Sequence, residues 1–171
     1  MFSAQSLAQV PCDPNIAKCP SSAIIENTSE QAPAGLDLAT QRYYANRKAK
    51  MQLSSQNTAR LEQDLRRCLP VSYRPIMRRV VRHESGNNPF AVNINLGPKL
   101  DRQPLSAIES AKIARTYIAK GYSVDLGYAQ INSQHYSNPD GFLKKAGYRV
   151  EDMLDPCTNL RAGALILGEA Y

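Results

Sequence analysis

The stretch Pro75-Ile-Met-Arg-Arg-Val-Val-Arg-His-Glu-Ser-Gly86 decides how the rest of the chain is read. Met77, Val80 and Val81 recur at helical spacing, and Glu84 comes after them by seven, four and three residues on the same apolar stripe. A carboxylate therefore stands where a core side chain is expected. Pro75 suits a first helical turn and Gly86 a break, so Glu84 also falls in the last turn, where the helix dipole opposes a further negative charge. Desolvation and dipole both act to raise its pKa, and a carboxyl group that stays protonated near neutrality suits general-acid work on a leaving-group oxygen. The competing expectation is an exposed glutamate at a helix end, paired with a nearby arginine.

On either side of this helix the pattern is mainly helical. Downstream, Ala91 to Asn95 alternates briefly and is expected to form a small hairpin with the residues immediately after it. Ser106-Ala-Ile-Glu109 fits a capping box opening a helix that carries Ile108, Ala111, Tyr117 and Ile118 and stops at Gly121. Asp155-Pro156 opens a last helix with the stripe Leu160, Gly163, Ala164, Leu167 and Tyr171, Gly163 permitting close helix approach. Upstream, Leu36 to Leu69 contains neither Gly nor Pro and predicts a long polar helix whose best apolar pair is Leu61 and Leu65. Residues 1–36, rich in Pro, Ser, Asn and Gln, read as a poorly packed arm. The expected organisation is an N-terminal polar arm and helix over residues 1–64 and one mainly α (α+β) domain over 65–171.

The net charge of +6 would suit an acidic partner, but Arg66-Arg67, Arg78-Arg79 and Lys144-Lys145 are short and dispersed. Without clustered basic and aromatic residues, a nucleic-acid-binding module is disfavoured. Cys12, Cys19, Cys68 and Cys157 have no metal-ligand spacing. In an oxidising compartment the expected pairs are Cys12 with Cys19 and Cys68 with Cys157; in a reducing one, four buried thiols. No stretch is long and apolar enough to span a bilayer, and no export signal is visible, although Phe2-Ser-Ala-Gln-Ser-Leu-Ala-Gln looks like the small-residue end of one.

Three segments together narrow the reading: Glu84-Ser85-Gly86, Gly127-Tyr-Ala-Gln130-Ile-Asn132, and Asp155-Pro-Cys-Thr-Asn159-Leu-Arg-Ala-Gly163. In this order and spacing they resemble the lytic transglycosylases of lysozyme-like fold, closest to the members that accompany type IV secretion and conjugation systems. The match runs from about Cys68 to Tyr171. The resemblance implies a lysozyme-like helical domain with a small hairpin beside the active-site cleft. It implies that Glu84 is the catalytic acid, cleaving the bond between N-acetylmuramic acid and N-acetylglucosamine and leaving a 1,6-anhydro end, with no cofactor and no metal. Ser85 would support the substrate's acetamido group; Gly127, Gln130 and Asn132 would line the sugar cleft, with Tyr128 and Ala129 at the variable positions of that loop and Tyr128 a candidate sugar contact. Asp155, Pro156, Asn159 and Gly163 match a segment expected to be structural. The implied partner is the peptidoglycan glycan strand, the implied location periplasmic, and the polar arm a candidate contact to secretion-system components.

Four further features bear on that expectation. Asp125 is the one candidate for a second carboxylate, which would favour a hydrolytic lysozyme mechanism; the simpler expectation is a loop-capping aspartate. His83 lacks the second histidine of a zinc-protease motif, Asn87 standing there, and helical geometry turns it roughly 100° from Glu84. His135 reads as a loop-surface histidine, while Tyr122, Tyr128 and Tyr136 are candidates to stack on sugar rings or to cover the core edge. The family's Tyr-Asn-x-Gly segment does not occur before Tyr171, so the expected domain is truncated at its C-terminus, and a non-catalytic peptidoglycan-binding scaffold is an alternative.

Overall fold

The architecture is that of a computed structural model, which describes residues 37–169. The expected Cys12–Cys19 pair and Tyr171 of the last stripe lie outside the described residues.

Asp37 starts the long helix α1 (Leu38–Cys68) by accepting the N–H groups of Ala39 and Thr40. Its buried residues are Leu61, Asp64, Leu65 and Cys68, spaced i, i+3, i+4 and i+7. The boundary expected between residues 64 and 65 thus falls inside one continuous helix, whose last two turns belong to the core. Arg74 closes that end, its guanidinium donating to the carbonyls of Leu69 and Arg66. Cys68 is disulfide-bonded to Cys157, so the oxidised alternative holds for this pair.

Helix α2 (Arg74–Ser85) has Pro75 in its first turn and ends at Gly86, whose φ of +58° lies in the left-handed region. Then come β1 (Val92–Ile94), α3 (Ala107–Ala119), β2 (Val124–Leu126), β3 (Ile131–Asn132), α4 (Phe142–Lys145) and α5 (Pro156–Glu169). The strands form one antiparallel sheet in the order β1-β2-β3, with Asn93 opposite Asp125 and Asp125 opposite Asn132. The piece 91–95 does form a strand, but its partner β2 lies beyond α3 rather than immediately after it. The tight hairpin is β2–β3. On its other side β1 meets the Gln103 amide, which accepts from Val92 N and donates to Val92 O, standing in for a neighbouring strand.

The Ser106 cap forms as expected, its hydroxyl accepting from Glu109 N. The reciprocal half is displaced by one residue: the Glu109 carboxylate takes the N–H of Leu105 and the Arg102 guanidinium. These contacts, the Leu105 N–H foremost, hold its carboxyl below the usual range.

Two apolar cores result. One joins the sheet to α3 and the 153–154 turn through Val124, Leu126, Ala114 and Met153. The other joins α1, α2 and α5 through Leu61, Leu65, Met77, Val81, Tyr128 and Leu160. Ala129 packs against both. A mainly helical fold with one small antiparallel sheet is what the residue pattern led us to expect. Among the described residues no helix is long and apolar enough to cross a membrane.

Candidate active site

The seam between the two cores opens as a cleft, and the last turn of α2 delivers Glu84 to it. Met77 and Val81 are fully buried, yet the Glu84 side chain keeps 44% of its exposure. The burial expected from the stripe is therefore absent: the stripe runs out of the core into an open groove. His83 does not turn away as expected either, since its Nδ1 lies 3.3 Å from Glu84 Oε1. Adjacent side chains at a fraying helix end can lean together although their Cα–Cβ bonds diverge. Among the described residues this histidine, not an arginine, is the ionisable neighbour of Glu84.

Two depressions meet at Glu84. One, of about 350 Å³, is lined by Val80, Glu84, Gln130, Asn132, His135 and Gly163 among others. The second, of about 330 Å³, is lined by Glu84, Ser85, Asn93, Gln103, Asp125 and Gln130 among others. Glu84 and Gln130 belong to both and form the saddle between them. A third depression continues the groove past Asn93 and Gln103 to Lys99.

The saddle depends on a turn that only certain residues can make. Gly127 has φ +75°, and a Cβ there would lie 2.4 Å from Asn159 Nδ2 and 2.8 Å from the Met153 carbonyl oxygen. Its N–H donates to Ala91 O. Gln130 takes φ +48°, a conformation costly for a side-chain-bearing residue, and its Nε2 donates to the carbonyls of Ala91 and Gly127. The Gln130 nitrogen is thus spent on the turn. Its Oε1 accepts from no described residue. Ser85 donates to Val81 O, which leaves its oxygen as an acceptor facing the cleft.

Helix α5 holds this turn from behind. Asp155 caps it by accepting Thr158 N. Asn159, 1% exposed, donates to Leu126 O and Met153 O and accepts from Ala129 N, each at 2.8 Å. A Cβ on Gly163 would sit 2.6 Å from the Ala129 Cβ, so the glycine admits the loop against the helix.

Asp125 departs from the loop-cap expectation. It lies within β2, accepts from Asn132 Nδ2 at 2.6 Å and Asn93 Nδ2 at 3.2 Å, and lines the same depression as Glu84. The cleft therefore contains two carboxylates.

Tyr128 is a correction in the opposite sense. It is fully buried in the α1–α2–α5 core, and its hydroxyl donates to Asp64 Oδ2 at 3.1 Å. Burial, then the Asp64 charge, pushes its phenol well above the ordinary range. It cannot stack on a ligand without unfolding that core. Tyr136 is likewise buried, donating to Val124 O, with its phenol raised by burial. Tyr122 packs edge-on against Tyr117. None of the three lines the depressions at Glu84, whereas His135 does. Gly127 shapes the cleft without lining either depression. Asn93 and Gln103 line it although nothing local in the sequence marks them. The pairing of β1 with β2 across α3 places both there.

Residues 71–171, more than half of the chain, match the family model described as Transglycosylase SLT domain, and the chain belongs to that family. The type IV secretion system proteins virB1 of Brucella abortus, Brucella melitensis and Brucella suis are each 36% identical to it over 104 residues. The aligned region covers 61% of this chain and 40% of each relative, so the chain spans about two fifths of their length. No solved structure matches this chain.

Proposed function

We propose that this chain is a peptidoglycan lytic transglycosylase that opens the cell wall for a type IV secretion or conjugation apparatus. The observation that carries the reading is Glu84 on the saddle between two adjoining depressions, where one carboxyl group reaches a bond joining two sugar units. Membership of the transglycosylase SLT family and the likeness to the virB1 proteins support it. The Cys68–Cys157 bond supports a periplasmic location, because disulfides persist in oxidising compartments.

In the proposed reaction Glu84 protonates the glycosidic oxygen between N-acetylmuramic acid and N-acetylglucosamine as the bond from C1 breaks. The substrate's acetamido oxygen bonds to C1 from the opposite face, so no second carboxylate is required. The Glu84 carboxylate then takes the C6 hydroxyl proton as that oxygen attacks C1 and displaces the acetamido group. A 1,6-anhydro end forms, Glu84 is again protonated, and no water or cofactor is consumed. Ser85 accepts from the acetamido N–H; Gln130 Oε1 and Asn132 hold sugar hydroxyls.

A second reading, hydrolysis, is favoured by one observation: Asp125 lines the depression that holds Glu84. Paired carboxylates are the usual equipment of glycosidases that transfer to water. Mass spectrometry of fragments released from purified peptidoglycan separates the two. We expect 1,6-anhydro ends from the wild type and from Asp125→Asn, and none from Glu84→Gln at unchanged melting temperature. Reducing ends that vanish with Asp125→Asn would establish the hydrolase. Binding without cleavage by the wild type would leave a glycan-binding scaffold.

A further inference from the structure

Beside the cleft lies the largest concavity of the described residues, about 1050 Å³, between the middle of α1 and the loop leading to α3. It belongs to neither apolar core, and α1 lies wholly outside the region matched by the family. Its lining includes three cations, Lys50, Arg60 and Arg102, against a single carboxylate, Asp101. Arg60 lies over the Phe90 ring at 5.0 Å and shares Asp64 with Arg67, and Arg102 pairs with Glu109. Lys50 forms no ion pair among the described residues. Three lining amides on the same helix, Asn46, Gln56 and Asn57, hydrogen-bond to no described residue. An uncompensated ammonium, unpaired amides and an aromatic floor suit a ligand with carboxylates and peptide groups.

Gln103 decides which ligand. It lines this concavity and also the depression that holds Glu84 and Ser85, so whatever occupies the one is within reach of whatever occupies the other. We propose that the concavity receives the carboxylate-bearing peptide stem attached to the glycan, with Lys50 as its principal charge partner. This rests on the peptidoglycan reading above and deepens it: α1 would make the enzyme selective for glycan that still carries its peptides.

The test uses soluble glycan strands with their stems and the same strands stripped of them by an amidase. Wild type is expected to show at least a fivefold higher kcat/KM on stem-bearing strands. Lys50→Glu, an exposed helix position, should erase that preference while leaving turnover of stripped strands unchanged. Equal wild-type rates on both substrates, or a preference that survives Lys50→Glu, would overturn the proposal. A second arm does not depend on turnover: the Glu84→Gln protein is titrated with a stem-bearing disaccharide and with the bare disaccharide, reading backbone amide shifts. Shifts at Asn57 and Phe90 with the stem alone sustain the site, and their absence overturns it. If neither strand is cleaved, the enzymatic reading fails while this arm still decides the binding site.

Discussion

Between Leu38 and Gln56 every residue of α1 except Thr40 and Tyr44 is exposed, whereas in its last two turns Leu61, Asp64, Leu65 and Cys68 are buried against α2, α5 and Tyr128. Composition differs little between the two ends, and neither contains Gly or Pro. Propensity therefore makes both helical. Only the second end repays ordering with buried apolar area, because isolated helices of this length are marginal in water. The difference separates two jobs within one element: the buried end fixes the fold behind Glu84, and the exposed end is free to serve as a surface.

The largest expected effect lies at the buried end. Leu65→Ala removes a side chain with no exposure and should cost about 2–5 kcal/mol in urea unfolding. Cys68→Ser, or reduction of the wild type, should cost about 2–4 kcal/mol, with the melting temperature of the variant insensitive to reductant. Tyr128→Phe should cost about 1–2 kcal/mol by leaving one Asp64 oxygen with a lost donor. It should also alter the alkaline limb. The unfolded tyrosine ionises near pH 10.0 while the folded one resists, so its contribution is intact below that pH and falls as the pH rises further. The variant should therefore lose stability less steeply as the pH is raised through that value. Met51→Ala, on the exposed end, should change stability by no more than about 0.5 kcal/mol. An effect above about 1 kcal/mol there would mean that the exposed end is packed after all.

Local signals make much of this legible. Gly- and Pro-free sequence locates α1, and Pro75 and Gly86 bracket α2. The Asp155 cap, the role of Asn159 and Gly163, and the Cys68–Cys157 pair also accord with residue type and order. The features that escape such reading depend on contacts across the chain. The partner of β1 stands about thirty residues away, beyond α3, and nothing local in Ala91 to Asn95 specifies it. Asp125 reads as a turn residue because strand and turn aspartates differ only in what pairs with them, here Asn93 and Asn132. Tyr128 reads as a sugar contact because its true partner, Asp64, lies across the boundary expected at residue 64. A usable signal exists: Leu61, Asp64, Leu65 and Cys68 share one helical face, the same pattern that singles out Glu84. On α1 that acid is buried beneath a phenol and two arginines. On α2 it opens into the cleft.

The bond between Cys68 and Cys157 spans 89 positions of sequence and turns the backbone between them into a covalent ring. Glu84, Ser85, Asp125, Gln130 and Asn132 all ride on that ring, while most of α1 and α5 leave it as two tails from neighbouring points. A single protease cut in the loop between Leu96 and Gln103 would then release no fragment. Both halves of the cleft would stay joined through sulfur, and dismantling it takes two events, a nick and a reduction.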